Sequence, residues 1–230
     1  MAPNPTSPAP APPAGNVTAA TARPRLRGVS HEVAAVVFPV LGLVIIAAAP
    51  SAGARATACV YTVGVTAMYA VSACYHRGTW SAPVRRRLRR VDHSMILVGI
   101  AATYTPITGV GVGGATGWAV VAIVWGLAAA GAVIRNVWLD APSWLVAVVY
   151  VGVGWTALGV LPTLWSRLGV TTFMLVVAGG VASSLGAVVF GRRRPDPRPT
   201  VFGYHEVFHA LVLLGGLFFY VAVLRVMLRG

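Results

Sequence analysis

The sequence contains no lysine; its eighteen basic side chains are all arginine. Acidic residues are scarcer still, five in 230, and charged residues of either sign make up only 10% of the chain. A soluble globular domain carries about 25% charged residues. So small a supply cannot cover a water-facing surface, but a bundle whose outside meets hydrocarbon needs no such cover. Cysteine is nearly absent too. Cys59 and Cys74 fall in one apolar run, and fifteen residues of helix separate them by about 22 Å. A disulfide needs Cα atoms within about 7 Å, so a bond between them is excluded and both are expected to be buried thiols. The first 28 residues lack any apolar run and are rich in Pro, Ala and Thr. They are expected to form a disordered tail, without the apolar stretch that a signal peptide requires.

What the chain has in quantity is hydrophobic surface, 57% of its residues. Seven apolar segments follow the tail, at roughly 31–50, 56–76, 91–110, 117–134, 143–161, 169–190 and 203–225. Runs of this length with few charges read as spanning segments. Backbone amides in lipid must be bonded within their own segment, so the segments are expected to be helices. Gly111, Gly113 and Gly114 mark one loop and Pro142 another. Arg192–Arg194 with Pro195, Pro197 and Pro199 mark a third. The expected fold is all-α, an integral membrane bundle of seven transmembrane helices over residues 29–230.

The net charge of +13 raises the question of nucleic acid. Such a partner calls for a basic face or stripe, whereas these arginines sit in short clusters between apolar runs, as membrane topology requires. Nucleic acid is therefore not an expected partner; the lipid bilayer is. Arg23, Arg25 and Arg27 precede the first segment; Arg77, Arg85, Arg86, Arg87, Arg89 and Arg90 follow the second. Arg135 follows the fourth, and Arg192, Arg193, Arg194 and Arg198 follow the sixth. With seven crossings, all of these share one side, and only Arg55, Arg167, Arg225 and Arg229 face the other. The positive-inside rule then puts the N-terminus in the cytoplasm and the C-terminus outside. Lysine-free, Ala/Arg/Val/Gly-rich usage fits a GC-rich bacterial genome, hence a bacterial inner membrane.

Ionisable groups within spanning segments are costly and usually face a cavity. Here the polar sets are Ser72 with His76 at the end of the second segment, Asp92 and His93 at the start of the third, and His205, Glu206 and His209 at the start of the seventh. The alternation of crossings gives these three sets one depth in the membrane, although nothing in the sequence brings them together sideways. Ser72 and His76 are four apart, as are His205 and His209, so each pair shares a helix face. Two histidines so spaced can hold one Zn²⁺, and His76 could supply a third nitrogen, leaving the open position of a catalytic zinc. Asp92 could serve as base to a metal-held water, and Ser72 could orient a ligand.

Plainer readings stand beside these. A histidine at a helix end can simply meet headgroups. Asp92 follows five arginines and could pair with one, or be favoured by a helix N-terminus. Ser72 could be ordinary helix packing. His93 points about 100° from Asp92 and reads as structural, while His31 and Glu32 are left undecided. Tyr104-Thr105-Pro106 marks an expected kink. His205-Glu206-Val207-Phe208-His209 also matches H-E-x-x-H, in which the glutamate is the base of a zinc protease. Such enzymes usually take a third ligand downstream, yet none of the 21 residues after His209 is Asp, Glu, His or Cys.

The set Ser72-x-x-x-His76, Asp92-His93, Tyr104-Thr105-Pro106 and His205-x-x-x-His209 resembles the hemolysin III proteins. They are the bacterial branch of the progestin and adipoQ receptor family, to which the adiponectin receptors belong. The likeness runs from His31 to the last helix. It implies a seven-helix bundle with zinc near the cytoplasmic face, held by His76, His205 and His209, with Asp92 at the zinc-held water and Ser72 close by. It also implies three functions to choose among. They are hydrolysis of a lipid-like amide or ester, as in ceramidase-type relatives; membrane lysis or pore formation, as the name suggests; and sensing of lipid state with a structural zinc.

Overall fold

The structure, a computed structural model, describes residues 23–229; residues 1–22 of the expected tail lie outside them. The described residues form seven helices: α1 (Val29–Ala48), α2 (Ala52–Arg77), α3 (Ala82–Tyr104), α4 (Gly114–Val137), α5 (Ser143–Gly154), α6 (Leu161–Arg192) and α7 (Tyr204–Met227). A π-helical stretch, Thr105–Val112, extends α3, and a 3₁₀ turn, Thr156–Val160, follows α5. Six of the described helical stretches are long and apolar enough to cross a membrane. The side chains agree with that environment. On α1, Val33, Val36, Val40 and Leu43 point outward, Val36 being 71% exposed, while His31, Ala34, Phe38, Gly42 and Ile45 point inward. A bundle that turns its valines outward is built for lipid. Cys59 and Cys74, expected to be buried, are exposed on this outer surface, where a small apolar thiol meets hydrocarbon at little cost.

One stretch, Ser143–Arg192, runs for 50 residues, which as a straight helix would extend about 75 Å. It is not straight. Gly169 breaks α6 with φ 71°, and the chain turns back there. Trp144 at the start of α5 lies against Gly191 at the end of α6, and Trp155 Nε1 donates to Ser184 Oγ at 2.8 Å. Tyr104 closes the break after α5. Its hydroxyl donates to the Gly154 carbonyl at 2.7 Å and accepts from Ala157 N–H at 2.8 Å. At Tyr104-Thr105-Pro106, where a kink is expected, the helix passes into this π-helical stretch, whose residues touch α2, α4, α6 and α7.

Small residues let the helices approach. A Cβ on Gly215 of α7 would come 2.9 Å from the Gly179 carbonyl of α6, and one on Gly99 of α3 would strike Met68 of α2. Such close packing is how helices associate where there is no hydrophobic drive between them. α1 touches both α2 and α7, which closes the ring.

Two expectations about the helix ends change. α3 begins at Ala82, with Pro83 in its first turn, so Arg85–Arg90 are helical rather than in a loop. Arginine is a good helix former, and these solvent-side turns cost nothing in lipid. Asp92 consequently lies nearly three turns inside the helix, where an N-terminal dipole no longer favours it. Arg23–Gly28, expected within the disordered tail, is instead tied to the α6–α7 loop, with Arg25 N–H bonded to Thr200 O and Leu26 N–H to Val201 O.

Candidate metal centre

Three helices deliver the polar residues to one end of the bundle. α2 ends with Ser72 and His76, α3 brings Asp92, and α7 opens with His205, Glu206 and His209. The sideways closeness that the sequence left open is present. His205 Nε2 lies 3.2 Å from His76 Nε2. One ring nitrogen from each of His76, His205 and His209 falls within 4.8 Å of the other two. Asp92 Oδ2 lies 3.8 Å from His76 Nε2. His76, Asp92 and His209 are all buried.

The donor set fits a divalent cation. Two nitrogens held tetrahedrally about 2.0–2.1 Å from zinc are about 3.3 Å apart, close to the His76–His205 separation. His209 Nδ1 is buried and has no hydrogen-bond partner among the described residues, although polar atoms so placed are normally satisfied.

Several alternatives are now decided. Among the described residues Asp92 pairs with none of the nearby arginines; Arg89 turns to Asp140 at 3.0 Å, and Arg77 to Glu32 at 2.7 Å. Glu206 is not free to act on the centre. It is 3% exposed, accepts the Gly203 N–H at 2.8 Å as part of the α7 cap, and is ion-paired with Arg27 Nε. Ser72 is more than helix packing, since its Oγ lies 2.8 Å from His31 Nδ1.

His31, undecided on sequence grounds, belongs to the centre as a fourth helix's contribution. It is 4% exposed, and its ring stacks on His209 with centroids 3.9 Å apart. The signal for it is legible: it is the first residue of the inward stripe His31, Ala34, Phe38, Gly42, Ile45.

The sequence pattern of the family described as Haemolysin-III related matches residues 19–220. The chain belongs to the haemolysin III family. Hemolysin-3 of Bacillus cereus is 29% identical over 199 residues, which cover 85% of this chain and 88% of that protein. A Hemolysin-3 homolog of Bacillus subtilis (strain 168) is 28% identical over 165 residues, 72% of this chain and 74% of the relative. With its apolar helices, this haemolysin III chain is a multi-pass protein of the bacterial plasma membrane.

The centre opens inward. A small cavity of about 40 Å³ touches His31, Ser72, Asp92, His93, His205 and His209. A larger apolar cavity of about 160 Å³ lies deeper, among α2, α3, α5, α6 and α7. Ile96, Tyr150 and Phe208 wall both.

Proposed function

We propose that this haemolysin III protein is a zinc-dependent hydrolase of lipid-like amides or esters. One observation carries the reading: three histidine nitrogens within 4.8 Å, with a buried carboxylate 3.8 Å from one of them, beside a small cavity that shares walls with a larger apolar one. His76, His205 and His209 would hold the ion. Zinc, when bound, lowers the pKa of water toward about 7 and polarises a carbonyl. Asp92 takes the proton from the attacking water and returns it to the leaving amine or alcohol. Ser72, fixed by His31, orients the polar head, and the apolar cavity takes the chain.

The same reading has seven crossings. The stretch Ser143–Arg192 counts as two because it turns back at Gly169, and the arginine balance sets the N-terminus inside and the C-terminus outside. The centre is then near the cytoplasmic face.

Purified protein incubated with a panel of amide- and ester-linked lipids tests the reading. Turnover should exceed that of His76→Ala, and equal rates across the panel would sink it. The name of the B. cereus relative favours a lytic reading, and dye release from liposomes by the purified protein would support that instead. Zinc without turnover or lysis would leave a sensor with a structural ion.

A further inference from the structure

His93 lies one residue beyond Asp92 and belongs to the wall of the same small cavity, yet the hydrolase reading gives it no task. It is gripped from two sides. The Arg135 guanidinium of α4 donates to its Nδ1, and Tyr150 Oη of α5 donates to its backbone carbonyl at 2.9 Å. Arg135 is itself 4% exposed and has no carboxylate partner among the described residues; its other bonds go to the Trp138 and Leu139 carbonyls.

The chemistry of the grip is one-way. A guanidinium has five donors and no acceptor. The Nδ1 that faces it must therefore offer a lone pair, and a neutral ring so held carries its proton on Nε2. Among the described residues Nε2 makes no hydrogen bond; the bonds of His93 are those at Nδ1 and the carbonyl. Capping the end of α4 accounts for two of the Arg135 contacts, but not for the third one to His93.

We propose that His93 is a substrate-positioning residue, locked by Arg135 as the Nε2–H tautomer, which gives the cavity a fixed hydrogen-bond donor for an oxygen on the polar head of a single-chain lipid. The head would be a carbonyl, hydroxyl or carboxylate, and the chain would run past Ile96, Tyr150 and Phe208 into the apolar cavity. A donor that cannot exchange roles selects an acceptor-bearing head over an ammonium or a bare hydrocarbon, because a head that covers the donor without accepting from it leaves it unmatched. The inference rests on the hydrolase reading for the chemistry after binding, but not for binding itself.

Two measurements test it on the full chain in nanodiscs. Nitrogen-15 spectra of histidine-labelled protein, assigned by the signal lost in His93→Gln, should give His93 a bare Nδ1 and a protonated Nε2. In Arg135→Met the signal should move to a mixture of tautomers. Radiolabelled palmitate is the binding probe. His93→Phe should weaken it about three- to tenfold at unchanged metal content, whereas His93→Gln, which keeps a donor, should stay within about twofold of wild type. A protonated Nδ1 in wild type, or palmitate bound equally by His93→Phe, overturns the inference. Should His93→Phe fail to fold, the wild-type spectrum and His93→Gln still decide. Weakened palmitate in His93→Phe with no lipid turnover anywhere sinks the hydrolase and leaves the inference standing. Turnover whose KM is untouched by His93→Phe does the reverse.

Discussion

The imidazole of His31 lies nearly flat on that of His209, with centroids 3.9 Å apart, planes 10° from parallel, and Nδ1 2.8 Å from Ser72 Oγ. α1 thus contributes a face of the centre without contributing to the three-histidine set. Supports of this kind usually matter about 10–100-fold in metal affinity. His31→Ala should weaken zinc binding about tenfold in a chelator competition, since His209 loses the ring that fixes its orientation. His31→Phe keeps the stack and should keep most of the affinity. Equal affinities for wild type and His31→Ala would make the stack incidental.

Elemental analysis of protein purified in detergent without chelator should find close to one zinc per chain. His205→Ala and His209→Ala should each lose most of it. Asp92→Ala should keep most of the metal and lose hydrolysis, because the carboxylate is assigned to the water rather than to the ion. The 3.2 Å between His76 Nε2 and His205 Nε2 is also the length of an ordinary imidazole–imidazole hydrogen bond. Metal-free wild-type protein would favour that bond and remove the hydrolase reading.

The H-E-x-x-H spacing and the structure assign Glu206 to different tasks. Its carboxylate caps α7 through Gly203 and pairs with Arg27. Glu206→Gln should therefore destabilise the fold, by about 2 kcal/mol for one weakened charged hydrogen bond, read as a lower midpoint of thermal unfolding in detergent. Zinc content and turnover per zinc should hold. A thousandfold loss of turnover at unchanged stability would restore the glutamate as base.

Much of this fold is legible in the sequence because the bilayer permits so few solutions. Apolar runs must be helices, and the fold-back near residue 169 falls where the fifth and sixth apolar segments part. The depth shared by His76, Asp92 and His205 comes from counting crossings. Their lateral meeting does not, since it depends on α1 sitting between α2 and α7, and no local pattern encodes helix neighbours. The start of α3 is misplaced when charge is read as loop, whereas Arg85–Arg90 extend the helix beyond the apolar layer. The cysteines are misplaced by a rule from soluble proteins: in lipid, apolar residues belong on the outside as well as in the core.

Tyr104 bridges the two backbone groups freed where α5 stops, the Gly154 carbonyl and the Ala157 N–H. In hydrocarbon these groups have no water to turn to. Tyr104→Phe should cost about 1–3 kcal/mol, measured as a lower unfolding midpoint, while leaving zinc content unchanged because the break lies at mid-bundle depth, away from the histidines. An unchanged midpoint would mean that the two groups find other partners.

Orientation can be tested without any assumption about chemistry. α1 and α7 begin at the histidine end of the bundle and α2 finishes there, so the three share one side whatever that side is. The arginines decide which. Arg23, Arg25 and Arg27, Arg85–Arg90 and Arg192–Arg194 flank that end, against Arg55, Arg167, Arg225 and Arg229 at the other. Short basic flanks are retained in the cytoplasm. A reporter that fluoresces only in the cytoplasm should glow when fused after Asp196, in the loop between α6 and α7, and stay dark when fused after Gly230. Both fusions glowing would mean that α7, the one helix between the two fusion points, does not cross, leaving an even number of passes. The reverse pattern, dark at Asp196 and bright at Gly230, would turn the histidine centre to the outer face, where its water and its lipids would come from the other leaflet.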